Sequence, residues 1–155
     1  MIEFNLNGKD VQTNSEPTKR LLDVLREEFN LTAPKEGCGE GECGACAILL
    51  DGNLVNSCIT AIGTVQGAKV ITLEGFRDTP QYQLLDHAFA VCGAVQCGYC
   101  TPGMIMAAQS LLSKKPHPTV EEIREGISGN LCRCTGYNMI INAVQMAAKE
   151  GNGLW

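Results

Sequence analysis

Ile2, Phe4 and Leu6 alternate with Glu3 and Asn5, the period of a strand with one buried face. Asn7-Gly8 follows, a pair that tolerates positive φ, so the pattern predicts a hairpin returning through Val11 and Thr13. Ser15-Glu16-Pro17-Thr18 then predicts a helix start. Leu21, Leu22, Val24, Leu25 and Phe29 recur at helical spacing, with Lys19, Arg20, Asp23, Arg26 and Glu27 on the other side, so this stripe is core packing. Ala47-Ile48-Leu49-Leu50 predicts a third strand, Asp51-Gly52 a second tight turn, and Leu54-Val55 the return. Val70-Ile71-Thr72-Leu73 predicts a last short strand before Glu74-Gly75.

After Phe76-Arg77-Asp78 the period changes and no strand pattern returns. Thr79-Pro80 reads as a cap and first helical position, followed by Leu84, Leu85, Ala88, Phe89 and Val91. A second helix runs through Met104, Ile105, Ala108, Leu111 and Leu112. Thr101 is expected to cap it, with Pro102 at its first position, where a missing N–H costs nothing. Lys114-Lys115-Pro116-His117-Pro118 is a turn. Thr119 and Glu122 then have the spacing of a capping box, and Ile123 and Ile127 give the third helix its face. Tyr137, Ile140, Ile141, Val144 and Ala147 mark a fourth helix. The expected fold class is therefore α+β, with a small α+β domain over residues 1–76 and an all-α domain, a four-helix bundle, over 77–155.

With 155 residues, two such domains would each have a thin core, which bound metal would help to hold. The net charge of −5, with Lys19-Arg20 and Lys114-Lys115 as isolated basic pairs, predicts no nucleic-acid partner. No run is long and apolar enough to span a membrane, and Met1 to Gly8 lacks the basic and apolar regions of a leader. Nine cysteines, an odd count without a leader, are expected as metal ligands in a reducing, cytoplasmic compartment rather than as disulfides.

Eight of the nine fall into two sets. Cys38, Cys43 and Cys46 have the spacing C-x4-C-x2-C, and Cys58 follows twelve positions later, the pattern of a plant-type [2Fe–2S] cluster. Gly37, Gly39, Gly41 and Gly44 between them let the backbone approach a cluster closely, and Glu36, Glu40 and Glu42 are expected to face outward. Zinc also takes four thiolates, but its structural sites usually pair C-x2-C knuckles, so the gap of four and the glycines favour iron–sulfur. In the second set Cys97 and Cys100 join Cys132 and Cys134, whose separation by one residue needs a tight loop between Gly129 and Gly136. Alone this set leaves zinc and iron–sulfur open, and the first set tips it toward a second cluster. Cys92 is left over and is expected to be a buried, inert thiol. His87 and His117 lie outside both sets.

Three stretches now resemble one family: Lys35 to Cys46, Gly93 to Gly103 and Ser128 to Tyr137. In this order they are similar to the small iron–sulfur subunit of the molybdenum hydroxylases, the xanthine dehydrogenase and aldehyde oxidase family, and the likeness runs from about Ile2 to about Ala148. The resemblance implies a β-grasp ferredoxin domain followed by a four-helix domain, each with one [2Fe–2S] cluster. It places the cluster on Cys97, Cys100, Cys132 and Cys134 near a molybdopterin, the cytosine dinucleotide form included. The cluster on Cys38, Cys43, Cys46 and Cys58 would lie nearer FAD. It further implies that Gln96, through its amide, and Cys134, through its sulfur, touch the pterin. The molybdopterin would sit in a large partner subunit and the FAD in a medium one. The chain itself would hold no catalytic acid, base or nucleophile. The expected role is electron transfer for hydroxylation of a purine such as xanthine or another N-heterocycle. A free two-cluster ferredoxin and a zinc-bound adaptor are the alternatives.

Overall fold

The computed structural model describes all 155 residues, Met1–Trp155. The first alternation becomes the hairpin of β1 (Ile2–Leu6) and β2 (Lys9–Thr13), with Phe4 opposite Val11 and both Asn7 and Gly8 at positive φ. β3 (Ala47–Leu50) and β4 (Asn53–Asn56) form the second hairpin around Asp51-Gly52. β5 (Lys69–Ile71) lies between them, parallel to β1 and antiparallel to β3, so the sheet order is β2-β1-β5-β3-β4.

One face of this sheet is closed by α1 (Leu21–Glu27). Leu21, Val24 and Leu25 are buried against Phe4, Leu6, Ile48 and Val70, and Phe29 meets Phe4 edge-on at 5.9 Å. Each such buried side chain contributes about 1.5–3 kcal/mol. The helix starts three residues later than Thr18. Residues 17–21 are instead held against 60–63: Gly63 N donates to the Pro17 carbonyl at 2.8 Å, Ile62 N to Lys19 at 2.9 Å, and Leu21 N to Thr60 at 2.7 Å. Here tertiary pairing overrides a local helix-start signal.

The last strand also ends earlier than its apolar run. The Asn7 side chain accepts from Thr72 N at 2.9 Å and donates to Thr72 Oγ1 at 3.0 Å, and the chain then turns into α2 (Leu73–Phe76). A Cβ at Gly75 would fall 2.1 Å from Asn7 Oδ1, so this clasp requires glycine there.

Four helices complete the chain: α3 (Pro80–Val91), α4 (Thr101–Lys114), α5 (Val120–Gly126) and α6 (Asn138–Glu150). α3 and α5 each pack on both α4 and α6, around Leu85, Phe89, Met104, Met106, Ile123, Ile140 and Val144. Leu49 and Phe76 reach into the same core, and α4 lies against β3 and β4. Thr79 caps α3 by accepting from Tyr82 N at 3.1 Å, and Thr119 with Glu122 forms the expected capping box. Thr101 does not cap α4. It is already helical, Cys100 is the cap residue without a side-chain bond, and Pro102 sits one place further in. The turn made by Cys97–Cys100 runs directly into the helix, which leaves Thr101 no extended position from which to cap.

Candidate metal centres

The loop before β3 turns its amides onto its own sulfurs. Cys38 Sγ accepts from the N–H groups of Glu40, Glu42 and Cys43 at 3.2–3.4 Å, and Cys43 Sγ accepts from Cys38 N at 3.3 Å. These amides bring the Cys38 thiol down to about 7 by favouring its charged form. Gly39, Gly41 and Gly44 hold the loop in the left-handed region, and a Cβ on Gly37 would lie 2.6 Å from Cys43 Sγ. Arg20 anchors the loop entry by ion pairs to Asp23 at 2.7 Å and Glu36 at 2.8 Å. Glu36, Glu40 and Glu42 face outward.

Cys46 and Cys58 stand beneath, both buried against Leu22. Cys58 lies in a single 3₁₀ turn, Ser57–Ile59, fastened to the strand start by Ser57 Oγ donating to the Cys46 carbonyl at 2.8 Å. Burial, and then the adjacent Cys46 thiol, push Cys58 up to about 11.

The second set is built from the turn before α4 and the loop before α6. Cys97 Sγ and Cys134 Sγ are 3.6 Å apart and exposed, as is Gln96 beside them. Cys100 and Cys132 form the inner pair. Burial, and then the Cys132 thiol, push Cys100 up to about 12. Burial raises Cys132 too, but the Thr135 hydroxyl, donating to its sulfur at 3.2 Å, and the amides of Thr135 and Cys134 leave it below the ordinary value. The Cys97 thiol raises Cys134.

Tyr137 is the residue that pattern reasoning misplaced. It is the cap of α6, held at φ 73°, and its phenol oxygen accepts from Cys132 N at 3.0 Å, while its own N–H donates to Thr135 Oγ1 at 3.2 Å. Asn138, an ordinary capping residue, stands directly before Met139-Ile140, but it is already the first helical residue and Tyr137 takes the cap position. Cys92 is half-buried rather than buried, its sulfur 3.8 Å from Met146 Sδ, and His87 and His117 are exposed.

Each set therefore presents thiols two by two. Nowhere in the chain do three His, Cys, Asp or Glu side chains gather about a point that a single metal ion could occupy. A zinc site gathers four ligands within about 2.3 Å of one ion. Paired thiols, amides aimed at sulfur and a glycine cradle fit a two-iron centre. No helix is long and apolar enough to cross a membrane.

Residues 4–69 match the family described as "2Fe-2S iron-sulfur cluster binding domain", and residues 72–145 the family described as "[2Fe-2S] binding domain". The chain is 53% identical over 149 residues to the nicotinate dehydrogenase small FeS subunit of Eubacterium barkeri, over 96% of this chain and 95% of that one. It is 46% identical over 146 residues to the xanthine dehydrogenase iron-sulfur-binding subunit of Escherichia coli O157:H7, over 92% and 91% of the two chains. A chain in the crystal structure of quinoline 2-oxidoreductase from Pseudomonas putida 86 is 41% identical and superposes with a TM-score of 0.91, over 97% of this chain and 94% of that one.

Proposed function

The chain belongs to the family of small iron–sulfur subunits of the molybdenum hydroxylases, and on that premise we propose that it relays electrons between partner subunits of such an enzyme. Cys38, Cys43, Cys46 and Cys58 hold one [2Fe–2S] centre, and Cys97, Cys100, Cys132 and Cys134 the other. Bound there, these centres supply one-electron oxidation and reduction. The chain's own residues fix the sulfurs, point amide dipoles at them and shut water away from Cys46 and Cys58. The observation that carries this reading is the pairing of thiols in both sets on one chain.

The exposed rim of the second set faces the molybdopterin of a large subunit, where Gln96 offers its amide and Cys134 its sulfur. The first set faces a subunit that carries FAD. The substrate is an N-heterocycle, in keeping with the nicotinate, xanthine and quinoline named for its relatives. The sheet half, residues 1–76, is a β-grasp unit. The helical half, 77–155, is a four-helix bundle, a reading supported by the closed ring in which α3, α4, α5 and α6 pack. The assembly works in the cytoplasm.

Isolation of the native complex tests this. The expected material contains a large molybdenum-bearing partner and about four irons per copy of this chain. A chain eluting alone at its own mass, 16.6 kDa, would be a free carrier, and a colourless zinc protein would be an adaptor. Gln96→Leu should leave both centres' spectra intact and reduce turnover or molybdenum cofactor retention. Unchanged values for both would remove Gln96 from the contact.

A further inference from the structure

The two cysteine loops touch each other directly. Leu131 N donates to the Cys43 carbonyl at 2.9 Å, so one hydrogen bond joins a residue of the first set to the neighbour of Cys132 in the second. Beside it the Asn130 side chain donates through Nδ2 to the Gly44 carbonyl at 3.1 Å. Tyr99 O–H donates to the Glu36 carbonyl at the loop's entry. All the ion pairs lie within one half or the other. Polar contact between the halves is thus concentrated on the loops that carry the thiols.

Asn130 is only 4% exposed. Burying an amide is costly unless it is bonded, so a merely space-filling role would suit an apolar residue better. Its notch is cut to size. A Cβ on Gly44 would lie 2.4 Å from the Gly129 carbonyl and 2.6 Å from Asn130 Nδ2, and one on Gly103 would lie 2.3 Å from the Gly44 carbonyl. Two glycines bring three backbone segments together, and the Asn130 amide bonds them there.

We propose that Asn130 is a positioning residue: by pinning Gly44 it keeps the Cys43 carbonyl bonded to Leu131 N–H, and so sets the separation and coupling of the two metal sites. This rests on the ligand assignment proposed above. With both centres bound, the transfer this contact would serve would move one electron and no atom, from the centre held by Cys132 to the one held by Cys43. Tunnelling falls exponentially with distance, so a small widening of this contact slows it.

The test uses the intact complex with both sets loaded. Asn130→Asp keeps the size and removes the donor, Asn130→Ser retains a shorter one, and Leu49→Ala weakens packing between the halves away from the loops. In Asn130→Asp, iron content and both optical signatures should be retained. The magnetic splitting between the two reduced centres should change, and the Leu131 amide should exchange about tenfold faster, the equivalent of one hydrogen bond. Asn130→Ser should recover part of both effects, and Leu49→Ala should lower the melting temperature with the splitting unchanged. Unchanged splitting and exchange in loaded Asn130→Asp would overturn the proposal. So would an equal change in Leu49→Ala, or failure of both Asn130 variants to load, which would assign the residue to folding. A wild-type complex with only one centre would instead sink the ligand assignment itself.

Discussion

Single side chains set the environment of each sulfur, and their removal has readable signs. Tyr137 O accepts from Cys132 N, and Tyr137→Phe leaves that half-buried N–H without its partner. The expected loss is about 1 kcal/mol of stability with iron content retained, checked by urea unfolding and metal analysis. Glu28 lies away from both sets. Its carboxylate accepts from the Ser15 hydroxyl and from Thr13 Oγ1 at 2.6 Å, with Lys19 at 3.5 Å, and these hold it below the ordinary 4.5. A depressed carboxylate stabilises fully above the unfolded value and loses that contribution as pH falls through the folded one. The urea midpoints of wild type and Glu28→Gln should therefore differ by a constant amount from pH 7 to about pH 5 and converge below 4.5. A gap that widens on acidification would show that the carboxylate is not the stabilising species.

At the scale of elements, local chemistry decides the ends wherever tertiary contact does not intervene. Thr119 and Glu122 close a capping box on α5, a helix of seven residues that has little else to define its start. Thr119→Ala should cost about 1 kcal/mol, visible as faster amide exchange through Val120–Gly126 without change at α6. The elements readable from sequence share this property. Asn7-Gly8 and Asp51-Gly52 carry their turn geometry in their own φ preferences, and Thr79 and Thr119 cap through bonds spanning three residues. The misread ends depend on distant partners. Residues 17–21 are drawn out of the helix by residues 60–63, β5 is stopped by Asn7 some sixty-five positions away, and Thr101 yields to the turn that serves Cys97 and Cys100. The grouping of eight thiols into two sets was legible because its spacing is largely local. Tyr137 and Asn130 were not, since each acts through a bond that only the folded loops create.

Across the whole molecule, two cores stand behind two sites. The sheet core and α1 back Cys46 and Cys58 through Leu22, whereas Cys100 and Cys132 pack on the core of α3 to α6. The halves share Leu49 and Phe76 and a seam of neutral hydrogen bonds. Loss of one centre should therefore loosen its own half and spare the other. On the ligand assignment proposed above, Cys43→Ser would remove one sulfur ligand but leave the backbone carbonyl that Leu131 binds, so the seam can survive. Iron should fall by about half, the second set's spectrum should persist, and thermal unfolding should begin in the sheet half. Cys132→Ser should give the mirror result, with the helical half melting first. If either variant lost both signals while its circular dichroism stayed native, the two sites would be assembling as one unit, and the separation into two cores would not extend to the metals. The contrast is sharp because neither substitution adds bulk, which leaves ligand chemistry as the variable.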